Sequence, residues 1–574
     1  MRKNWKFMVL VLVAAMLLTA CANTGKPVES TEPDDSAAPE ATMDPAVMTP
    51  FAAYDEPVTL TFARIMNRGA QLAPDETTSD NCMIDIVKEK LNVNCEIAWE
   101  TAPDQYDQRL ALSIAGGNLP DVFLITRDNY MTFTALVENG ALADLTDAYN
   151  NCIGGIAAEW IATYDGKPLV PATFDGKIMA IPAPVGGYNY NILWIRKDWL
   201  DQVNLPLPKT VDDIKAAALA FKDAKLGGDN TVGIVVDPVK PLGTSDSFLS
   251  VSTVANSQGA YPKSWIEGED GNVVYGSITP EMKQTLAVLA DWYEAGVLDP
   301  QWMTYQNMDA VTPAIRNGEC GMYFGAWWSP WTVADSVVQH PEMDWVPVLA
   351  PLDEEGMYNH VNNAAPANFV VVNANCEHPE AVVKANNVLF ELFNGAYDEE
   401  PGVKDAIEPS KQAGSFGRTI CPFSGTYSAE LFDRYVQTGI AITKYAQEGG
   451  ELNMPDFATP EEINQAEKCR KFYLGEFEIG DEGFTEAYSL YNSYATESLI
   501  SDPSINYDEP VLFSYTTPAM GDYLPALDTL EKEMIVQIIS GEKPVDYFDE
   551  FVEQWKSSGG DIITAEVQAI VDAR

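Results

Sequence analysis

From Val58 to Ile65 the chain alternates apolar and polar positions as VTLTFARI, the two-residue period of a strand with one face buried. Between Asn81 and Leu91 the period changes. Ile84, Val87 and Leu91 recur at three- and four-residue spacing, which predicts a helix. Val93 to Trp99 returns to a strand pattern, so these residues predict a β-α-β unit. A second helix comes next with Tyr106, Leu110 and Ile114 on one face, then Gly116-Gly117-Asn118-Leu119-Pro120-Asp121 and a short apolar strand from Val122 to Ile125. Strands that alternate with helices imply parallel pairing, with helices covering the sheet. Farther along, Thr210-Val211-Asp212-Asp213 has capping-box form ahead of a helix bearing Ile214, Ala218 and Phe221. Thr279-Pro280 opens another helix, with Leu286, Leu289 and Tyr293 along it and Gly296 at its stop. Both halves read as α/β, without a repeat of fixed period.

The N-terminus has a different pattern. Arg2, Lys3 and Lys6 precede an uncharged apolar run from Phe7 to Leu18, the layout of an export signal and too short for a membrane span. Leu18-Thr19-Ala20-Cys21 resembles the bacterial lipobox, in which the cysteine is acylated and becomes the new N-terminus. This predicts a signal over residues 1–20, a lipid anchor on Cys21, and a protein held outside the cytoplasmic membrane. Two or more acyl chains give a stable anchor where one does not. The alternative is an ordinary secretory signal that contains a cysteine. Residues 21–56, rich in Pro, Ser, Thr, Asp, Glu and Ala, predict a disordered tether reaching roughly 30 Å or more from the bilayer.

Composition narrows the function. Of 574 residues 46% are hydrophobic and 21% charged, enough apolar sequence for a large core, arranged as two or three units or as a pair of interwoven lobes. With 35 Lys and Arg against 85 Asp and Glu the formal charge is -50, which repels phosphate backbones and excludes nucleic-acid binding. The same charge disfavours anionic lipid, so membrane association is expected through the lipid anchor only. Cys82, Cys95, Cys152, Cys320, Cys376, Cys421 and Cys469 form no CxxC or Cys/His cluster and read mostly as small buried residues, one or two bridges remaining open.

Enzymatic signatures are scarce: GxSxG, HExxH, the Walker glycine loop and the dinucleotide fingerprint are absent. His340, His360 and His378 are the whole histidine complement, and His378 before Pro379 is read as a helix cap. The GGDNT segment at Gly227 lacks the alternating acidic ligands of a calcium loop, so neither metal nor cofactor is expected. Two spaced carboxylates suffice for a glycosidase, which keeps that class as an alternative.

Several segments together resemble the extracellular solute-binding proteins, family 1, of carbohydrate ABC importers, in the large Firmicutes lipoprotein branch. They are GGNLPDVF at Gly116, DLTDAY at Asp144, DGKIMAIP at Asp175, LWIRKDWL at Leu193, AGVLDP at Ala295, NGECGMYFGAWW at Asn317, EHPEAVVKANNVLF at Glu377 and SGEKPVDYFDEFVEQWKSSGG at Ser540. The resemblance implies a two-lobed periplasmic-binding-protein-like α/β fold of type II, with a hinge and a ligand cleft between the lobes. Residues 57–184 would begin lobe 1, 185–365 would form the main part of lobe 2, and 366–574 would return to both. Crossings are expected at Pro184–Asn191 and near Tyr358–Ala367. Gly395 to Glu476 reads as an extension that sequence does not allocate to either lobe.

Sugar sites combine a flat aromatic face with planar polar groups, because pyranose rings offer C–H patches and hydroxyls. Trp327, Trp328 and Trp331 lie in a Gly- and Pro-punctuated stretch after a short strand, and the resemblance implies that at least one stacks on ligand, the others packing as core. In lobe 1, Arg127, Asp128 and Asn129 end a strand where open α/β sheets bind ligands. Asp128 is the leading candidate there, while Asp121 is expected to fix the turn and cap a helix. Arg64, Asn67 and Arg68 leave the first strand, Tyr188 and Tyr190 sit at the first crossing, and Trp265 is a further cleft candidate. Trp194, Trp199, Trp292 and Trp302, in or beside amphipathic helices, read as core.

The function expected is capture of an oligosaccharide by a monomer whose lobes close, with delivery to the permease subunits of an ABC importer served by a separate ATPase. A surface glycosidase, a ligand-sensing lipoprotein and a receptor for a non-carbohydrate solute are the alternatives.

Overall fold

The computed structural model describes residues 47–572 except 67–71, 164–165, 184–190, 244–247, 269, 362–365, 367, 398–399, 414, 417–419, 424–431, 456–459, 500 and 509–510. The expected signal, Cys21, most of the expected tether, Asn67, Arg68, Tyr188, Tyr190 and nearly all of the expected first crossing lie outside the described residues.

The β-α-β unit forms as its periodicity predicts. Val58–Ile65 (β1) and Val93–Thr101 (β2) pair in parallel around the helix Cys82–Leu91 (α1). Asn81 starts α1 by accepting from the N–H groups of Met83 and Ile84, and Asn92 stops it in the left-handed conformation, φ 59°. Tyr106–Gly116 (α2) ends on Gly117, φ 64°, and leads to Val122–Thr126 (β3) and Tyr130–Glu138 (α3). Asp121 does not cap a helix. Its carboxylate accepts from the N–H and the hydroxyl of Thr61, at 2.9 and 2.7 Å, and so fastens the start of β3 to β1. Ile181–Ala183 (β4) is the last strand before the first crossing.

Between Ile192 and Val348 the chain builds a second sheet from Ile192–Arg196 (β5), Val232–Ile234 (β6), Cys320–Gly325 (β9) and Trp345–Val348 (β10), in the order β10-β5-β9-β6. Trp265–Glu267 (β7) and Val273–Tyr275 (β8) form a hairpin beside it. Its helices include Val211–Asp223 (α4), with the expected reciprocal Thr210/Asp213 box, Pro280–Ala295 (α5) stopped by Gly296, and Ser329–Gln339 (α6). Tyr358–Val361 (β11) then leads to Asn368–Val372 (β12), which returns to the first sheet and completes the order β2-β1-β3-β12-β4. Pro379–Phe393 (α7) packs behind it, against α1 and the helices Thr146–Cys152 and Gly155–Thr163.

The segment read as an unallocated extension is largely helical. Pro401–Ala413 packs on α1, whereas Phe432–Glu448 (α8), Pro460–Tyr473 (α9) and Phe484–Leu499 (α10) pack on one another, and α10 lies along α6. Ile505–Asp508 (β13) pairs with β11, and Val511–Phe513 (β14) joins the β7–β8 hairpin. Pro518–Ile539 (α11) then packs on α5, and Tyr547–Trp555 (α12) on α11.

The end of the expected tether is part of the fold. Lys384 and Asn387 of α7 are buried and donate to the carbonyls of Val47 and Pro50, at 3.1 and 3.2 Å. Tyr54 is buried too, its hydroxyl donating to Glu380 at 2.9 Å. The composition of this stretch resembles a linker, yet α7 presents it with a polar stripe whose groups need partners once buried. His378, expected to cap α7, makes no side-chain capping bond and instead lies 3.2 Å from Glu380.

All seven described cysteines are free, six of them buried. Trp194, Trp199, Trp292 and Trp302 are core, although Trp194 belongs to strand β5 rather than to a helix. Among the described residues no helix is long and apolar enough to cross a membrane.

Candidate functional site

Sheet register determines which loops meet the crossings. In the first sheet β12 runs antiparallel to its neighbours, with Asn368 opposite both Thr126 and Ala183. The carboxyl ends of β3 and β4 therefore share one edge, and from that edge the chain leaves after Ala183. In the second sheet Gly325 lies opposite Ile192, so the carboxyl end of β9 is at the edge where the chain arrives. The turn Arg127–Asn129 continues β3 and the turn Ala326–Trp328 continues β9. Both candidate segments thus stand at carboxyl strand ends on the crossing edges, the usual place for ligand sites in open α/β sheets.

The tryptophan turn is held from below and from one side. Trp194, buried in β5, donates from its indole nitrogen to the carbonyl of Gly325 at 3.1 Å. A side chain at Gly325 would bring a Cβ within 2.2 Å of the Ser329 hydroxyl and 3.1 Å of the Phe248 ring, so anything larger than glycine forces these side chains to shift. The ring of Trp328 packs on Phe248, 5.1 Å between centroids, and both Trp327 and Trp328 are half-buried. Trp331 is not in a loop. Ser329 and Pro330 open α6, and Trp331 occupies its first turn with 48% of its surface exposed. A single exposed aromatic is ordinary, but this one stands next to two half-buried ones and so forms a patch with them.

On the first lobe, Arg127 to Asn129 form a single 3-10 turn. Arg127 and Asn129 are half-buried, and the Asn129 amide donates to the Thr126 hydroxyl at 3.2 Å. The backbone of Asp128 belongs to the same turn. Tyr130 anchors the start of α3, donating to the Pro171 carbonyl at 2.7 Å and packing on Phe369 and on Tyr515, 4.7 Å away. Tyr515 comes from just beyond β14, so a C-terminal segment supports the lobe 1 turn.

Two predicted site residues belong elsewhere. Trp265 is 5% exposed on β7, packed at a tilt against Tyr275 at 4.9 Å and Trp555 at 6.3 Å. It packs the hairpin against α12 and is core, because the alternation of so short a strand did not reveal which face α12 covers. Arg64 is fully buried within β1, donates to the Thr78 carbonyl at 3.2 Å and faces Glu100 at 3.7 Å. Burial pushes its guanidinium below the usual range, with Glu100 opposing. It ties the approach to α1 onto the sheet instead of reaching outward.

Phe248, Ser493, Tyr130 and Tyr515 were not singled out by sequence. Tyr130 adjoins the Arg127–Asn129 motif, which is its local signal; the others come from distant segments and carry none. The GGDNT segment folds on itself, Asp229 pairing with Lys225 at 2.7 Å and Gly227 donating to Thr231.

Residues 83–384 match the family model described as bacterial extracellular solute-binding protein. The chain is 21% identical to lipoprotein LipO of Bacillus subtilis over 87% of its own length and 90% of that protein. It is 24% identical to the polygalacturonan/rhamnogalacturonan-binding protein YtcQ of the same organism, over 57% of this chain and 58% of that one. Its fold matches an HMO-binding, ABC-transporter-associated solute-binding protein of Bifidobacterium longum infantis at a TM-score of 0.60 and 16% identity, covering 90% of this chain and 99% of the other. With a sheet in each lobe and the chain crossing between them, this protein has the two-lobed fold of those receptors and belongs to the bacterial extracellular solute-binding proteins.

Proposed function

We propose that this chain is the receptor of an ABC importer that captures a carbohydrate, specifically an oligosaccharide, between its two lobes. The observation that carries the reading is the pairing of unlike surfaces on the two crossing edges: a polar turn, Arg127–Asn129, on the first lobe and a tryptophan turn, Trp327, Trp328 and Trp331, on the second. The tryptophans offer flat faces for sugar C–H groups, and the polar turn offers planar donors and acceptors for hydroxyls. The saccharide ligands named for relatives of this family lend support. Ligand favours closure through its higher affinity for the closed form, which then docks on the permease. The permease and the ATPase are separate chains, the receptor acts as a monomer without catalysis, and acylated Cys21 holds it on the outer face of the cytoplasmic membrane.

The test is thermal stabilisation of residues 21–574, unlipidated, across a panel of oligosaccharides, with each incubation analysed for cleavage. A ligand at a hundred times its dissociation constant adds about 2.7 kcal/mol. A shift with intact sugar supports the receptor and names its substrate class. Cleavage products point to a glycosidase, and the absence of any shift points to a non-carbohydrate solute. Loss of palmitate labelling in Cys21→Ala tests the anchor.

A further inference from the structure

Three consecutive carbonyls of the tryptophan turn have different partners. The Ala326 carbonyl accepts from the Ser329 N–H at 2.9 Å and the Trp328 carbonyl from the Trp331 N–H at 3.1 Å, both local bonds that begin α6. The Trp327 carbonyl, between them, accepts from the hydroxyl of Ser493 at 3.0 Å, 166 residues away on α10. Ser493 is 4% exposed and Trp327 half-buried, so this bond is partly sheltered from competing water. The helix carrying Ser493 is itself held. Besides lying along α6, α10 packs on α8 and α9 through a cluster of Ile442, Ala446, Cys469, Leu490 and Tyr494, and Lys468 pairs with Glu486 at 2.6 Å.

We propose that Ser493 is a positioning residue for the ligand site, and that the packed helices α8, α9 and α10 set affinity through it. This rests on the reading of the tryptophan turn as the sugar platform. Gly325, which has no side chain, precedes the turn, and Phe248 supports the Trp328 ring from one side. The bond from Ser493 fixes the peptide between Trp327 and Trp328 and hence the direction in which both rings leave the backbone. Without it the peptide between Trp327 and Trp328 loses its anchor to α10 and the two rings gain freedom, while Gly325 stays held in β9 and α6 stays in place. Stacking depends on ring orientation over a fraction of an ångström to an ångström, so the cost falls on ligand binding more than on folding.

The experiment compares wild type, Ser493→Ala and Ser493→Thr as residues 21–574. Without ligand, hydrogen exchange of the peptide covering residues 321–333 is expected to be faster in Ser493→Ala and restored toward wild type in Ser493→Thr, which keeps the hydroxyl. With the sugar found by the panel, Ser493→Ala is expected to bind about tenfold more weakly, the loss of one partly sheltered hydrogen bond, with a smaller change in ligand-induced tryptophan fluorescence. Wild-type exchange in Ser493→Ala overturns the positioning role, as does wild-type affinity. Faster exchange in a protein that binds no sugar upholds the positioning of the turn and rejects the carbohydrate reading instead. Should Ser493→Ala misfold, Ser493→Cys, isosteric and a weak donor, is expected to fall between it and wild type, and wild-type exchange in that variant likewise overturns the role.

Discussion

The ammonium group of Lys384 stands 4.0 Å from the ring centre of Tyr54, while Glu380, one turn earlier on α7, accepts from the same tyrosine's hydroxyl. Through this pair the segment from Val47 to Tyr54 is clasped to the first lobe.

Truncation therefore discriminates sharply between two starting points. A chain beginning at residue 47 is expected to unfold in urea at the same midpoint as one beginning at 21. A chain beginning at 57 loses the Tyr54 packing and the bonds to Val47 and Pro50, and should be less stable by about 2–4 kcal/mol. Equal midpoints for all three would show that the clasp contributes nothing.

Trp265 and Trp331 are expected to separate stability from binding. Trp265→Ala leaves a cavity in a buried aromatic cluster and should cost about 3–5 kcal/mol. Trp331→Ala removes a half-exposed ring and should change stability by no more than about 0.5 kcal/mol, while weakening the sugar that gives the largest thermal shift. Calorimetric titration beside urea denaturation measures both, and unaltered affinity in Trp327→Ala, Trp328→Ala and Trp331→Ala would remove the stacking platform.

Asp121 gives a third test. Its carboxylate accepts two bonds from Thr61, one from a backbone N–H, and Asp121→Ala should lower stability by about 2–3 kcal/mol. Thr61→Val, which keeps the backbone donor but loses the hydroxyl's bond to the carboxylate and the one it accepts from the Asp121 N–H, should cost a similar amount. A loss of ligand affinity with unchanged stability would instead make Asp121 a ligand contact.

The capping box of α4 predicts a pH dependence. Burial pushes the Asp213 carboxyl up slightly, but the N–H groups of Lys209 and Thr210 and the Thr210 hydroxyl outweigh it, leaving the group below its ordinary 3.8. A carboxyl lowered by folding contributes stability that is complete above pH 3.8 and is lost as pH falls through the folded value. Asp213→Asn should therefore reduce the slope of stability against pH between about 4 and 3, and Thr210→Ala should cost about 1 kcal/mol at neutral pH. An unchanged slope in Asp213→Asn counts against the box as an acid-labile element.

The site was only partly legible. Arg127 to Asn129 stood out because a strand end is a local event, and the tryptophan group because its composition is unusual. Arg64, equally polar and also on a strand ending at that edge, proved buried against Thr78 and Glu100. What distinguishes it is the loop folded over it, which no pattern in β1 records.

Periodicity, caps and stops determined the local elements: β1, α1 and β2, the Thr210 box, and the helix from Pro280 to Gly296 arise from residues within one or two turns of each other. These interactions have short sequence separation, so the sequence states them directly. Tertiary structure alone decided that Lys384 grips Val47, that α10 reaches the tryptophan turn through Ser493, and that Trp265 is covered by Trp555 while Trp331 is left open. Each of those depends on which of several amphipathic surfaces meet, a competition among contacts hundreds of residues apart that leaves no periodic trace in either partner.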